Sequence, residues 1–342
     1  MAHAQGPAAR RHGSAAHARG LAAPTQGPVA HARAMRVAAI AVGSTSVHLT
    51  VAAVTGRRLR ILADESALLQ LGSAVDASGH LPAASLAELI ATLRGFVATA
   101  SSLRADKVAL VGTEPLRRAG NGHSVGAEVH AATGLSLLQL THEEEALLSL
   151  LAVLGGRAPA VSTLVVDIGG GSSEYVLAGP QGAPQAHALR VGAARLTEAV
   201  VRHDPPTPDE LDALRGEARR RLASAADLHP VRAILVGGTA TNLLRVAAPG
   251  RALRVLDRRR LRLAMEALLA EPSGELAVRC AIRPQRARIL PGGAALVGAL
   301  LERYGLPSAA VSATSIRDGA ILAIALGGEA WRERLTDLVS GG

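Results

Sequence analysis

Leu164-Val165-Val166-Asp167-Ile168-Gly169-Gly170-Gly171-Ser172-Ser173-Glu174 is the stretch on which the reading of this 342-residue chain turns. An apolar run enters three consecutive glycines, and a second run, Glu174 to Ala178, leaves them, so the segment reads as strand, tight turn, strand. Three glycines free the backbone to curl until successive N–H groups point inward, a nest that holds an anion without a positive side chain. Asp167 ends the incoming strand and Glu174 opens the outgoing one, and paired carboxylates of this kind suit a hard cation such as Mg²⁺ that also bridges phosphate. A plain hairpin with solvated acids is the competing reading, and the apolar flanks on both sides argue against it.

Working outward, the same pattern occurs again. Val37 to Ser46 followed by Val47 to Val54 also reads as strand, glycine turn, strand, and Gly43 precedes Gly169 by 126 residues. Ala109-Leu110-Val111-Gly112-Thr113 and Leu235-Val236-Gly237-Gly238-Thr239 are a second pair, with Thr113 and Thr239 again 126 apart. A helical pattern lies between the marks in each half: Leu86, Leu89, Ile90 and Leu93 in the first, Leu211, Leu214 and Leu222 in the second. Thr207-Pro208-Asp209-Glu210 starts the second helix with a capping box and proline at its first position. One offset at two separate marks predicts two homologous α/β domains.

Three further segments carry chemistry. Gly43-Ser44-Thr45-Ser46 would be a second phosphate cradle facing the first, and Gly237-Gly238-Thr239 a third, closing a strand ahead of a helix whose free N–H groups favour an anion. No G-x-x-x-x-G-K-[ST] or G-x-G-x-x-G occurs, and the main glycine turn leads into a strand, so neither a P-loop nor a dinucleotide fingerprint fits. Thr141-His142-Glu143-Glu144-Glu145 opens an apolar helical run. Its acids have a functional reading, and an equally weighted one as charges that the helix dipole favours.

Composition narrows the classes. Apolar residues are 49% of the chain, and the aromatics are Phe96, Tyr175, Tyr304 and Trp331, too few for base-stacking platforms. Cys280 is the single cysteine, which leaves neither a disulfide framework nor a thiolate zinc site. No membrane-length apolar run is read here, Ala146 to Leu154 being the best stretch, and the chain is expected in the cytoplasm. The net charge is +9, of which Arg10, Arg11, Arg19 and Arg33 contribute four before residue 34. A basic body suits a polyanionic partner. The skew to 36 arginines against Lys107 alone is what a GC-rich genome produces, and that reading outweighs the functional one. Residues 1–34 read as a disordered tail, 35–158 and 159–326 as the two domains, and 327–342 as a C-terminal helix or tail, with Met35 as a candidate start.

Together these motifs resemble the Ppx/GppA phosphatase family, whose members have the actin/Hsp70/sugar-kinase fold. Gly43 to Leu49 is similar to that family's D-x-G-S-N-S-x-x-L, Gly112 to Asn121 to A-T-x-A-x-R-x-A-x-N, and Glu144-Glu145-Ala146 to E-E-A-R. The loop from Asp167 to Glu174 is similar to D-I-G-G-G-S-T-E. Arg190 to Thr197, His203 to Thr207, Arg283 to Ala287 and Ile316 to Gly319 resemble later marks. The resemblance implies two duplicated actin-like, ribonuclease H-like domains with a cleft between them, and removal of a terminal phosphoryl group from polyphosphate or guanosine pentaphosphate. It implies Glu145 as the base that orients water, and Asp167 and Glu174 as catalytic and Mg²⁺-binding carboxylates. It further implies phosphate contacts from Gly43, Ser44, Thr45, Arg117, Gly169, Gly170, Gly171, Ser172, Gly238, Thr239 and Arg286. No membrane or specific nucleic-acid partner is expected, and a homodimer is admitted. Three departures stand out: Ala41 where the family has Asp, Leu147 where it has Arg, and Arg288 where it has an acid. The rival readings are a non-catalytic binder of polyphosphate or guanosine polyphosphate and an ATP-dependent kinase or ATPase of the same fold.

Overall fold

The computed structural model describes residues 34–340. The tail expected over residues 1–34 lies, apart from Ala34, outside the described residues.

The first half begins with β1 (Met35–Val42), whose residues from Val37 onward are all buried. Such a strand needs cover on both faces, and it lies inside the sheet. It pairs antiparallel with β2 (Ser46–Thr55), which pairs antiparallel with the edge strand β3 (Arg58–Leu68). After α1 (Leu71–Ser78), helix α2 (Ala83–Ser102) buries Leu86, Leu89, Leu93 and Phe96, the face read from the sequence with Phe96 added. An 18-residue window of this 20-residue helix has a mean hydropathy of 1.3, enough by length and composition to cross a membrane, which the sequence reading did not flag. Glu88 and Arg94 lie on it, and its leucines pack in the core of the first half. Then come β4 (Lys107–Gly112), α3 (Glu114–Arg118), α4 (Gly122–Thr133), β5 (Leu137–Gln139) and α5 (His142–Leu154).

The second half repeats this plan with β6 (Thr163–Ile168), β7 (Ser173–Ala178), β8 (Gln185–Leu189), α6 (Ala193–Val200), α7 (Pro208–Leu222), β9 (Arg232–Val236) and α8 (Gly237–Ala247). An insertion of β10 (Val255–Asp257), α9 (Arg258–Ala270), α10 (Ser273–Arg279) and α11 (Pro284–Arg303) precedes β11 (Ser308–Val311) and α12 (Ile316–Gly327). Sheet order is β3-β2-β1-β4-β5 in one half and β8-β7-β6-β9-β11 in the other, with β10 added outside β11. The duplication read from two glycine marks therefore holds strand by strand. Thr207 and Glu210 close the expected capping box, Glu210 N donating to Thr207 Oγ1 at 3.2 Å and Thr207 N to Glu210 Oε2 at 2.9 Å.

Register refines the offset. Ala41 faces His48 in β1–β2 as Asp167 faces Glu174 in β6–β7, so His48 stands where the second half has Glu174. Val111 pairs with Ala41 and Val236 with Asp167, an offset of 125. The spacing returns to 126 at the threonines: Thr113 Oγ1 donates to Val42 O at 3.0 Å, and Thr239 Oγ1 to Ile168 O at 2.7 Å. Gly237 is the extra residue. It lies at φ +80°, and a Cβ there would stand 2.6 Å from Asp167 Oδ1. Gly237-Gly238-Thr239 thus forms the first turn of α8 instead of closing a strand, which corrects the sequence reading.

A shared apolar core joins the halves through α5 and α12, with Leu148, Leu151 and Ile321 buried in it. The helices touch at Gly319, where a Cβ would come within 1.9 Å of Leu148 O. Among the described residues, the last helix, α13 (Leu335–Ser340), adds Leu335 and Leu338 to that core beside Trp331.

Candidate active site

The two glycine hairpins are built alike and meet. Gly43 N donates to Ser46 O at 3.1 Å, and Gly169 N to Ser172 O at 3.0 Å. A Cβ on Gly170 would stand 2.4 Å from Thr45 Oγ1, and one on Gly171 would stand 2.8 Å from Ser44 Oγ. Any side chain there would push the hairpins apart. Between them opens a cavity of about 440 Å³. Both hairpins line it, together with Gly238 and Thr239 at the start of α8 and the carboxylates of Glu145, Asp167 and Glu174.

The three acids that open α5 have three different fates. Glu143 is exposed. Glu144 closes a capping box with Thr141 and pairs with Arg332 at 2.7 Å, so for this residue the helix-start reading is right. Glu145 is buried and faces the cavity.

Burial dominates the electrostatics. It pushes the Asp167 carboxyl up to about 6, against the pull of Arg286 and Arg317. It pushes Glu174 up to about 8, with Asp167 adding repulsion. Glu145 is raised well above the usual carboxylate range, by burial first and by the Glu174 charge second, with Arg117 opposing. A buried acid favours its neutral form unless a cation compensates.

Arg117, expected on the phosphate, is instead held behind Glu145. Its guanidinium pairs with Glu145, donates to Leu140 O and lies 2.9 Å from His142 Nδ1, and it does not line the cavity. Arg286, in the first turn of α11, does line it and crosses to the other half, donating to Ser46 Oγ and lying 3.2 Å from His48 Nε2. The hydroxyls of Ser44 and Thr239 are committed to Glu114 Oε2 and Ile168 O, so backbone N–H groups are what these residues offer an anion.

The sequence reading missed several participants. His142 Nδ1 lies 2.9 Å from Glu174 Oε1, and donor atoms of His142, Glu145 and Glu174 lie within 4.8 Å of one another. The available signal was the i, i+3 spacing of His142 and Glu145, which puts both on one helix face. Arg317, at the start of α12, lines the cavity and pairs with Asp64 at 3.0 Å. Arg317, Arg286 and Arg283, with burial as the largest cause, push the His48 imidazole down to about 2. Glu114 ties the halves together, accepting from Ser44 Oγ at 3.0 Å, from Arg118 Nε at 2.8 Å and from Arg195 Nη2 on α6 at 2.7 Å.

The family model described as "Ppx/GppA phosphatase family" matches residues 50–327. The chain belongs to the Ppx/GppA phosphatase family. Among curated proteins it is similar to Exopolyphosphatase 2 of Mycobacterium tuberculosis, 29% identical over 318 residues, covering 85% of this chain and 98% of that one. It is also 31% identical to Exopolyphosphatase 1 of Mycobacterium bovis over 306 residues, covering 84% of this chain and 88% of the relative. Among solved structures, the Aquifex aeolicus member of the family superposes with a TM-score of 0.74 at 27% identity, over 86% of this chain and 99% of that one. An exopolyphosphatase of Cytophaga hutchinsonii, 20% identical, shares the fold with a TM-score of 0.77 over 86% of this chain and 98% of that one. The two actin-like halves and their cleft are thus the architecture of Ppx/GppA proteins.

Proposed function

We propose that this Ppx/GppA phosphatase hydrolyses the terminal phosphoryl group of inorganic polyphosphate or guanosine pentaphosphate. One observation carries the reading: two phosphate-nest hairpins in contact, with the buried Glu145 and Glu174 and the half-buried Asp167 facing the same cavity. The hairpin N–H groups and the first turn of α8 hold the terminal phosphate, while Arg286 and Arg317 offset its charge. Glu145 orients a water and takes its proton as the water oxygen bonds to phosphorus. The bridging P–O bond breaks on the opposite side, and the electron pair leaves on the shortened chain. Arg117 is a positioning residue for Glu145.

The family implies a divalent cation, and the donors fit one. Glu145 and Glu174 offer hard oxygen ligands with a His142 nitrogen within 4.8 Å, and Asp167, outside that group, faces the same cavity. When bound, Mg²⁺ or a similar ion would neutralise phosphate charge. The domain limits 35–158 and 159–326, a cytoplasmic setting and a homodimer belong to the same proposal.

Ala41 favours a second reading. The first half lacks the carboxylate that Asp167 supplies in the second, which suits a protein that binds polyphosphate or guanosine polyphosphate with little turnover. Phosphate release from long-chain polyphosphate separates the two. The hydrolase releases phosphate, Asp167→Asn abolishes release and Ala41→Asp increases it. Tight binding with no release under any divalent metal leaves the binder.

A further inference from the structure

Two grooves flank α9, and arginines line both. Between α7, α9 and α11, a groove of about 200 Å³ carries Arg215, Arg219, Arg258 and Arg262 over a floor that includes Met265 and Ala294. Where the end of α8 meets the start of α9, a second groove of about 280 Å³ carries Arg251, Arg259 and Arg260. They lie on either side of the first turn of α9, which sends Arg258 to one and Arg259 and Arg260 to the other. Glu302 and Asp257 are the acids among the lining residues, and they pair with Arg219 and Arg260. Arg251, Arg258 and Arg259 make no ion pair among the described residues. Helix α8 links this region to the cavity. Thr241 and Arg245 line the cavity, and Ala247 and Ala248 line the second groove. Arg245 and Ala247, both on α8, are separated by about 3 Å of helix rise.

We propose that the grooves beside α9 hold the distal part of a linear inorganic polyphosphate whose terminal phosphate sits in the cavity, an inference that rests on the function proposed above. A linear polyphosphate repeats its charge along its length, and guanidinium forks match phosphoryl oxygens. No aromatic side chain lines either groove, so the bases of a single-stranded nucleic acid find no stacking surface there. Arg258 and Arg259 are exposed, so they act by raising local polyanion concentration, an effect that salt screens.

The test compares the full chain with and without R258E/R259E on tripolyphosphate and on polyphosphate several hundred phosphates long. The expected result is a KM for the long chain raised at least about tenfold, with tripolyphosphate kinetics within about twofold and a shallower salt dependence in the variant. Equal effects on both substrates, or no effect, overturn the proposal, as does single-stranded DNA displacing long polyphosphate at equal charge. Arg251→Glu, in the loop after α8, provides the same readout should the double variant fail to fold. Retardation of long polyphosphate by Glu145→Gln, with and without R258E/R259E, requires no turnover. If neither substrate is hydrolysed and that retardation still falls in the variant, the hydrolytic reading fails while the grooves stand.

Discussion

Glu145, Asp167 and Glu174 lie on different elements but share one problem: Glu145 and Glu174 are buried and Asp167 half-buried, and loss of water raises the carboxyl of each. As the water-orienting base, Glu145 should lower kcat by about 10²–10⁴-fold when changed to Gln, with little change in KM, since removing proton transfer spares substrate contacts. Steady-state phosphate release measures it. The same burial makes stability depend on pH. The Asp167 carboxyl rises from 3.8 to about 6 and Glu174 from 4.5 to about 8 on folding, so the native state holds these protons more tightly than the unfolded chain. Their contribution is complete at low pH and is lost as pH rises through that window. In chelator, the melting temperature should fall between about pH 4 and pH 8. The double variant Asp167→Asn, Glu174→Gln should flatten the fall, and millimolar Mg²⁺ should reverse part of it at the alkaline end by binding the native state. A melting curve whose slope is the same in wild type and double variant would remove these carboxyls as its source.

At the scale of elements, the helices and turns were the most readable part of the chain. Leu86, Leu89 and Leu93 face the core of the first half because 3.6-residue periodicity leaves α2 no other apolar face. Thr207 and Glu210 cap α7 as their spacing dictates, and Thr207→Ala should cost about 1 kcal/mol in urea unfolding. The start of α8 was less readable, because Gly237-Gly238 fits a strand end as well as a helix turn until the left-handed φ of Gly237 is known. The crossing of α5 and α12 had no local signal, since it depends on Gly319 meeting Leu148, 171 residues away. Gly319→Val should destabilise the protein by at least about 1–3 kcal/mol, because the added atoms meet backbone that cannot rotate aside.

Across the whole molecule, the duplication was legible because each half repeats its glycine turn at the same spacing, and sheet order bears it out. What stayed hidden joins residues remote in sequence. Arg195 reaches Glu114 from the other half, His142 reaches Glu174, and Arg317 joins Arg286 in lining the cavity while Arg117 pairs with Glu145. No pattern within either partner's own segment announces such pairs. Arg195→Met should raise KM and cost about 1–3 kcal/mol, because Glu114 stays buried with one guanidinium fewer and Ser44 loses a fixed acceptor. Denaturation and phosphate release on the same preparation check both effects.

The contact of Gly319 with the Leu148 carbonyl has a mechanical meaning. Where two helices touch main chain to main chain inside a packed apolar core, no side chain can turn aside to change their spacing, so that point fixes how closely the helices lie. The two halves are thus riveted at Gly319, a residue whose missing Cβ is what lets the Leu148 carbonyl come so near.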